Sequence, residues 1–305
     1  MIELFGRIAK IRHRKESGWA VFDLSADGWL IKCTGILPEL AEEGGEVTIT
    51  GEEKESAWGK EVKCSQIVPA TPDISTSEGV KRLLQYLPGI GPKKAAEAVV
   101  RHGHEQAWLL AKTDPEAVGV LPADCAEALE LANSIEHDYA ALIFFLGIGL
   151  TDYETKAVIN YYKSAGFRSH EIQTEFVSNP YRIMEIHGFG FKRSDAVALK
   201  SGVSPAHTAR LAAAAGSILS DSEQNGGNTW IYGSKLCHIT SKLLEESALK
   251  NGVPPGAIDL HAIRDSIYKL DQDGKVYIDA EKRVFSSFLL KCEKEIFAAA
   301  TELRG

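Results

Sequence analysis

Among the 5 cysteines of this 305-residue chain, Cys33, Cys64, Cys125, Cys237 and Cys292, there is no Cys-x-x-Cys pair. So scattered and odd a set speaks against a disulfide framework or a cysteine-bound metal, and the thiols are expected to be reduced core residues. Long apolar runs are equally scarce. The best, Tyr139–Leu146, falls well short of the roughly 18 residues a membrane helix needs. Met1–Gly6 shows no basic leader followed by an apolar stretch, so an intracellular, cytoplasmic location is expected. A phosphate loop of the form Gly-x-x-x-x-Gly-Lys-[Ser/Thr] is also lacking: Gly59-Lys60 is followed by Glu61, and Lys54 stands where the first glycine belongs. ATP hydrolysis by this chain alone is therefore not expected. Basic charge is not in excess either. With 34 Lys and Arg against 42 Asp and Glu the formal charge is −8, which excludes indiscriminate nucleic-acid binding through global charge. Any such contact must come from local basic groups and backbone amides.

What is present is an ordinary globular composition, 44% hydrophobic and 25% charged, in a chain long enough for more than one core. Residues 1–70 read as short β-runs broken by glycine: a first strand through Ile8–Arg14, then Trp19–Leu24, Trp29–Thr34, Glu46–Gly51 and Lys60–Val68. Five such strands suit a small closed barrel of the OB type, with an SH3-like barrel as the alternative. Straight alternation in the first strand would put Ile8, Lys10, Arg12 and Arg14 on one face. With Arg7, Lys15 and Trp19, that basic strip is a candidate strand-binding groove or a solvated face; Arg12 and Arg14 are its candidate DNA contacts. Residues 71–78, rich in Pro, Ser and Thr, form a linker. From 79 to 203 the apolar spacing becomes helical. The tail, 204–305, mixes helices with a glycine-rich turn and strand over Asn225–Tyr232 and a strand at Lys275–Asp279, the latter entered through Asp271–Gly274, which is expected to be a hairpin turn. A closing helix is expected over Val284–Leu303, and the whole tail is expected to be winged-helix-like. The fold class is thus multidomain and mainly α.

Leu87-Pro-Gly-Ile-Gly-Pro-Lys-Lys-Ala-Ala96 has the form of a helix-hairpin-helix turn. Gly89 and Gly91 permit backbone conformations denied to other residues and let a ligand approach. Pro92 suits the first position of the next helix, whose unpaired N–H groups and positive dipole end favour an anion. Such a turn holds a phosphate by its amides around Ile90, with Lys93 and Lys94 adding charge, and fixes position without reading bases. The pattern returns thirty residues later, where Gly119-Val-Leu-Pro-Ala-Asp124 has lost the second glycine and the lysines, and is expected to be structural. Phe145-Leu-Gly-Ile-Gly-Leu-Thr-Asp152, taken with Gly147 and Gly149 as the glycine pair, is likewise a scaffold candidate. His187-Gly-Phe-Gly-Phe-Lys-Arg193 keeps Gly188 and Gly190 and adds Lys192 and Arg193, making it the second DNA candidate.

Other patterns dissolve on inspection. Gly89-x-Gly91 is no dinucleotide fingerprint, because Lys94 occupies the sixth position and no strand precedes it. His102 and His104 point different ways on a helix and have no cysteine partner nearby, so a helix-end turn around Gly103 is expected instead of a metal. Asp271-Gln-Asp-Gly274 opens like a calcium loop, yet Lys282 stands where the final glutamate belongs. No catalytic or metal-binding residue is assigned, and no carboxylate or histidine cluster argues for a nuclease.

The succession of barrel, Pro-Gly-Ile-Gly-Pro hairpin, Leu146–Gly149, Asn179-Pro-Tyr181, His187–Lys192 with Asp195-Ala-Val-Ala198, and Gly227-Asn-Thr-Trp230 resembles the long amino-terminal region of RecD-like ATP-dependent DNA helicases. The resemblance covers the whole chain and is most specific over 86–96 and 179–198. It implies a DNA-engaging region that precedes two RecA-like motor domains of a 5′-to-3′ helicase of DNA repair. ATP and Mg²⁺ would belong to those motors, with no cofactor in this chain. Implied partners are single-stranded or forked DNA, bound weakly, motor domains in cis, and repair proteins, for a monomer of the bacterial cytosol or nucleoid. One departure is Asn228, where the family has Gly-His-Thr. A protein-docking scaffold whose hairpins only pack helices is the competing expectation.

Overall fold

In the computed structural model, which describes residues 1–56, 59–254 and 258–302, glycine-punctuated alternation at the amino terminus produces five strands. They are β1 (Ile2–Arg14), β2 (Trp19–Ala26), β3 (Trp29–Ile36), β4 (Glu46–Ser56) and β5 (Gly59–Pro69). The sheet closes into a barrel in the order β1-β2-β3-β5-β4, with β1 paired to β4 and only β3 and β5 parallel. Ile8, Phe22, Leu24, Cys33, Val47 and Ile49 fill its interior. β1 departs from straight alternation. Its register shifts between Ile8 and Lys10 and again between Ile11 and His13. An extra residue in a strand flips the faces that follow. Ile8 is therefore in the core, Lys10 and Arg12 are exposed and Arg14 is half-buried, so the four do not share one face.

The linker ends at Thr76, whose side chain caps the next helix by accepting from the Gly79 amide. Helices follow at short intervals: α1 (Ser77–Leu84), α2 (Pro92–His102), α3 (His104–Thr113), α4 (Cys125–Gly147), α5 (Asp152–Ser164) and α6 (Ser169–Ser178). Short 3-10 turns at Pro115–Val118 and Pro122–Asp124 join α3 to α4. The chain divides into two compact units, Met1–Gln173 and Thr174–Gly305. In the first, Val80, Leu83, Leu84, Ile90, Val99, Trp108, Val120 and Ile135 belong to one helical core. Gly103, with φ 76°, separates α2 from α3 as a helix-end turn.

The second unit contains a 3-10 turn at Pro180–Glu185, α7 (Phe191–Lys200), α8 (Thr208–Gly226), β6 (Trp230–Tyr232), α9 (Gly233–Lys250), α10 (Leu260–Gln272), β7 (Val276–Ile278), β8 (Arg283–Ser286) and α11 (Ser287–Glu302). Its three strands form an antiparallel sheet in the order β6-β8-β7. Two sequence expectations are corrected here. Arg283–Ser286 is a strand, not the start of the closing helix, because Val284 packs into the core between the half-buried Arg283 and Phe285. Asp271–Gly274 is the end of α10, closed by Gly274 at φ 69°; the hairpin turn lies at Asp279–Lys282. The expected helix end at Leu303 lies outside the described residues. The cysteines divide as well: Cys33 and Cys64 are buried in the barrel core, Cys125 and Cys237 are half-buried on helices and pack against the edges of the two helical cores, and Cys292 is half-buried on α11.

At the centre of this unit Arg210 and Asp195 form an ion pair with both side chains fully buried, at 2.8 Å. Arg210 also donates to the carbonyls of Pro205 and Leu244, each at 2.9 Å. Tyr181 and Ser247 donate to the two Asp195 oxygens at 2.5 and 2.6 Å. The cluster ties α7, α8 and α9 to the Pro180–Glu185 turn.

Candidate nucleic-acid interface

Four interhelical turns are built on one backbone plan. A glycine with positive φ opens each: Gly89 (69°), Gly119 (96°), Gly149 (92°) and Gly188 (92°). An apolar residue then drops into the core, Ile90, Val120, Leu150 and Phe189, none more than 5% exposed. An extended residue follows and starts the next helix: Gly91, Leu121, Thr151 and Gly190. The spacing of Gly89, Gly119 and Gly149 is equal, so the repeat seen at two turns in the sequence includes a third. The register of that third turn is corrected. Gly149 and Thr151, not Gly147 and Gly149, stand where Gly89 and Gly91 stand, because α4 continues through Gly147.

Hydrogen bonding separates the four into two pairs. At Gly119 and Gly149 the glycine amide is spent inside the turn, on Glu116 at 2.9 Å and Leu146 at 3.0 Å. The following amides, of Val120 and Leu150, bond to Pro115 at 3.2 Å and Phe145 at 3.0 Å, closing Schellman-like ends. At Gly89 and Gly188 the chain closes one residue later. Only Ile90 donates to Leu87, at 3.1 Å, and only Phe189 to Ile186, at 3.0 Å. The amides of Gly89, Gly91, Lys93 and Lys94 meet no acceptor among the described residues, nor do those of Gly188, Gly190, Phe191 and Lys192. Gly89, Gly91, Gly188 and Gly190 are exposed, and a Cβ placed on any of them would meet no atom within 4 Å. Each turn is thus an open cradle of unpaired donors at a positive helix end, the arrangement that binds oxyanions.

The third turn holds its own anion. Glu154 accepts from the Thr151 amide at 2.8 Å while Thr151 Oγ1 accepts from the Glu154 amide at 3.3 Å, a reciprocal capping box. The turn is also docked on the barrel: Gln66 donates to the carbonyls of Leu146 and Gly147, and Asp152 accepts from the Glu39 amide at 3.1 Å. Burial raises the Asp152 carboxyl above its ordinary value.

The charged residues differ in their availability. Lys93 and Lys192 are exposed beside their turns. Lys94 Nζ donates to the Gly119 carbonyl at 3.1 Å, bridging the first turn to the second. Arg193 is half-buried and engaged elsewhere in the protein. Ile90 is buried and its amide is used, so it anchors the turn and offers no donor outward. The barrel strip is mostly committed as well. Arg12 pairs with the buried Asp23 at 2.8 Å, and Arg14 donates to the carbonyls of Leu37 and Pro38 at 3.0 and 2.7 Å. Arg7 pairs with Glu46, and Lys15 lies over the Trp19 ring. Among the described residues no group of three or more His, Cys, Asp or Glu could hold a metal, and no helix is long and apolar enough to cross a membrane.

Repeated glycine turns of this geometry between helices are the mark of a helix-hairpin-helix region. Residues 135–230 match the family model described as the ATP-dependent RecD2 DNA helicase HHH domain. The match supports the amino-terminal region of a RecD-like helicase. It contains the third and fourth turns and the Asp195–Arg210 ion pair, though not that pair's partners on α9, and it extends past Val203 through α8 to Trp230. No curated protein matches the chain. Asn228, the departure from the family pattern, follows the left-handed Gly227 that ends α8 and bonds by its amide to Ser222 at 3.2 Å.

Proposed function

We propose that the chain is a DNA-binding accessory region of a RecD-like 5′-to-3′ helicase of DNA repair or recombination, holding the sugar-phosphate backbone at two turns. Gly89, Gly91 and Lys93 form one contact; Gly188, Gly190 and Lys192 form the other, with Arg193 at its edge. The observation that carries this reading is that the amide of the left-handed glycine is unspent at these two turns, beside further unpaired amides and an exposed lysine, whereas at the other two turns it is bonded within the turn. A phosphate oxygen there accepts several N–H groups at once, so an acidic chain needs no basic surface. The barrel reads as OB-type from its strand order, and the segment α8-β6-α9-α10-β7-β8, with its sheet order β6-β8-β7, as winged-helix-like. Domain boundaries of 1–70, 79–203 and 204–305 around a linker at 71–78 remain part of this proposal, as do a monomeric state, a cytoplasmic location and motor domains in cis that carry ATP and Mg²⁺. Arg12 and Arg14 leave the set of DNA contacts, because Asp23 and the 37–41 loop use their charge.

Gly91→Val and Gly190→Val test the reading. Both positions have ordinary extended backbone and empty surroundings, so thermal stability is expected to hold while the added side chain fills the phosphate site. Fluorescence anisotropy with forked and single-stranded DNA at low salt should show clearly weaker binding for each variant and a larger loss for the pair. Unchanged affinity in the stable double variant overturns the turn mechanism. The rival scaffold reading draws on the second and third turns, which are closed by their own hydrogen bonds; it predicts no DNA binding by the parent protein at any salt.

A further inference from the structure

The three-stranded sheet of the second unit buries one face and leaves the other outside. Ile231, Val284 and Ile278 align across β6, β8 and β7 and pack into the core. The adjacent aligned row is Trp230, Phe285 and Tyr277. Side chains alternate between faces along a strand, so these three rings stand together on the outer face. Tyr277 is 44% exposed, and Tyr232, one step along β6, is 49% exposed. Trp230 and Phe285 are half-buried.

Cations lie among these rings. The Arg283 guanidinium sits 5.4 Å from the Trp230 ring centre and 5.9 Å from that of Phe285, anchored at 2.6 Å by Asp279. Lys294 Nζ lies 5.7 Å from the Tyr277 ring. Beside Tyr277 a cleft of about 360 Å³ is lined by Ser287, Lys291 and Lys294. Asp271 also lines it, but that carboxylate accepts from the Ile278 amide at 3.0 Å. Glu281 pairs with Arg283 and Glu295 with Lys291, whereas Lys275 and Lys294 meet no carboxylate among the described residues.

We propose that this face is a stacking platform for single-stranded nucleic acid, with bases lying on the Tyr277–Phe285–Trp230 row and a backbone phosphate in the cleft at Lys291 and Lys294. Strands about 4.8 Å apart make the row roughly 10 Å long, the reach of two or three splayed nucleotides. Every base has a π-face, so aromatic rings flanked by cations bind a single strand without reading its sequence. The guanidinium plane over two rings extends the same surface. A duplex, whose bases are already stacked on one another, gains nothing here. This site is separate from the glycine turns, which hold phosphate alone.

The test uses the full chain with two fluorescent twelve-nucleotide probes of equal charge, one of thymidine and one abasic. The thymidine probe is expected to bind more tightly. Tyr277→Ala should weaken it at least about fivefold, the low end for loss of one stacked base, while Tyr277→Phe keeps the parent affinity. Lys294→Ala should weaken both probes. Gly91→Val with Gly190→Val should lower both affinities and leave the preference for bases intact, so failure of the turns and failure of the platform read out separately. Equal binding of the two probes, or parent affinity in Tyr277→Ala and in Tyr277→Ala/Lys294→Ala, overturns the proposal. So does binding of a proline-rich peptide that Tyr277→Ala abolishes while thymidine binding stays unchanged, since the face then docks protein.

Discussion

Arg210 is the side chain with most to lose in this protein, because its charge sits in a fully buried site and every one of its contacts is internal. Desolvating an ion pair offsets most of its attraction, so the pair itself stabilises little; removing one partner is different. Arg210→Met leaves Asp195 buried with only two hydroxyl donors and should destabilise the chain by about 3–5 kcal/mol, read from denaturant midpoints. Burial, then the negative Asp195, pushes the Tyr181 phenol far above its ordinary range, so it stays a donor. Glycine positions separate in the same way. Gly89→Ala places a Cβ at φ 69° and should cost about 1–2 kcal/mol of stability, whereas Gly91→Ala, in extended backbone, should cost almost none. Paired thermal melts of the two variants check this, and equal losses would mean that the turn is held by something other than backbone conformation.

At the scale of helices and turns, the third turn shows how a phosphate site is closed. Thr151→Ala removes the cap and should cost about 1 kcal/mol while leaving DNA affinity untouched, because no outside anion binds there. A loss of affinity in that variant would place a phosphate at a turn already filled by Glu154. Between α3 and α4, burial would raise the Glu136 carboxyl, but hydrogen bonds from Lys112 at 2.8 Å and Trp108 at 2.7 Å hold it below its ordinary value. A depressed carboxylate stabilises the fold above its unfolded pKa and loses that effect as pH falls through the folded one. Glu136→Gln should therefore lower the urea midpoint at pH near 7 and close on the parent in acid, below about 4. The helices and the open turns were legible in the sequence because glycine, proline and apolar spacing are local signals. The register of the third turn was not, since Gly147 looks like a turn glycine until α4 is seen to run through it. β8 was missed for a related reason: Arg283–Ser286 is too short for alternation to outweigh the helical pattern that follows. The Asp195–Arg210 cluster joins residues distant in sequence, so its single members look like surface charges.

Over the whole molecule the formal charge of −8 sets what kind of DNA binding is available. Affinity for a polyanion comes largely from counterions released where lysine or arginine neutralises phosphates, and each such contact adds to the salt dependence. Two turns with one free lysine apiece, with the cleft at Lys291 and Lys294, neutralise about two to three phosphates, which predicts a slope of log affinity against log salt of roughly −1.4 to −2.1 on single strands. An extended basic groove along the barrel would give a far steeper slope. Because Arg12 and Arg14 are neutralised or bonded within the barrel, Arg12→Gln should leave the slope unchanged, whereas Lys93→Glu and Lys192→Glu should each make it shallower by about one contact's worth, 0.7. Lys94→Glu breaks the bridge to Gly119 and should affect stability more than slope. A salt titration of these four variants against the parent decides the matter. A slope that falls with Arg12→Gln and ignores Lys93 and Lys192 would move the contact from the helical turns to the barrel.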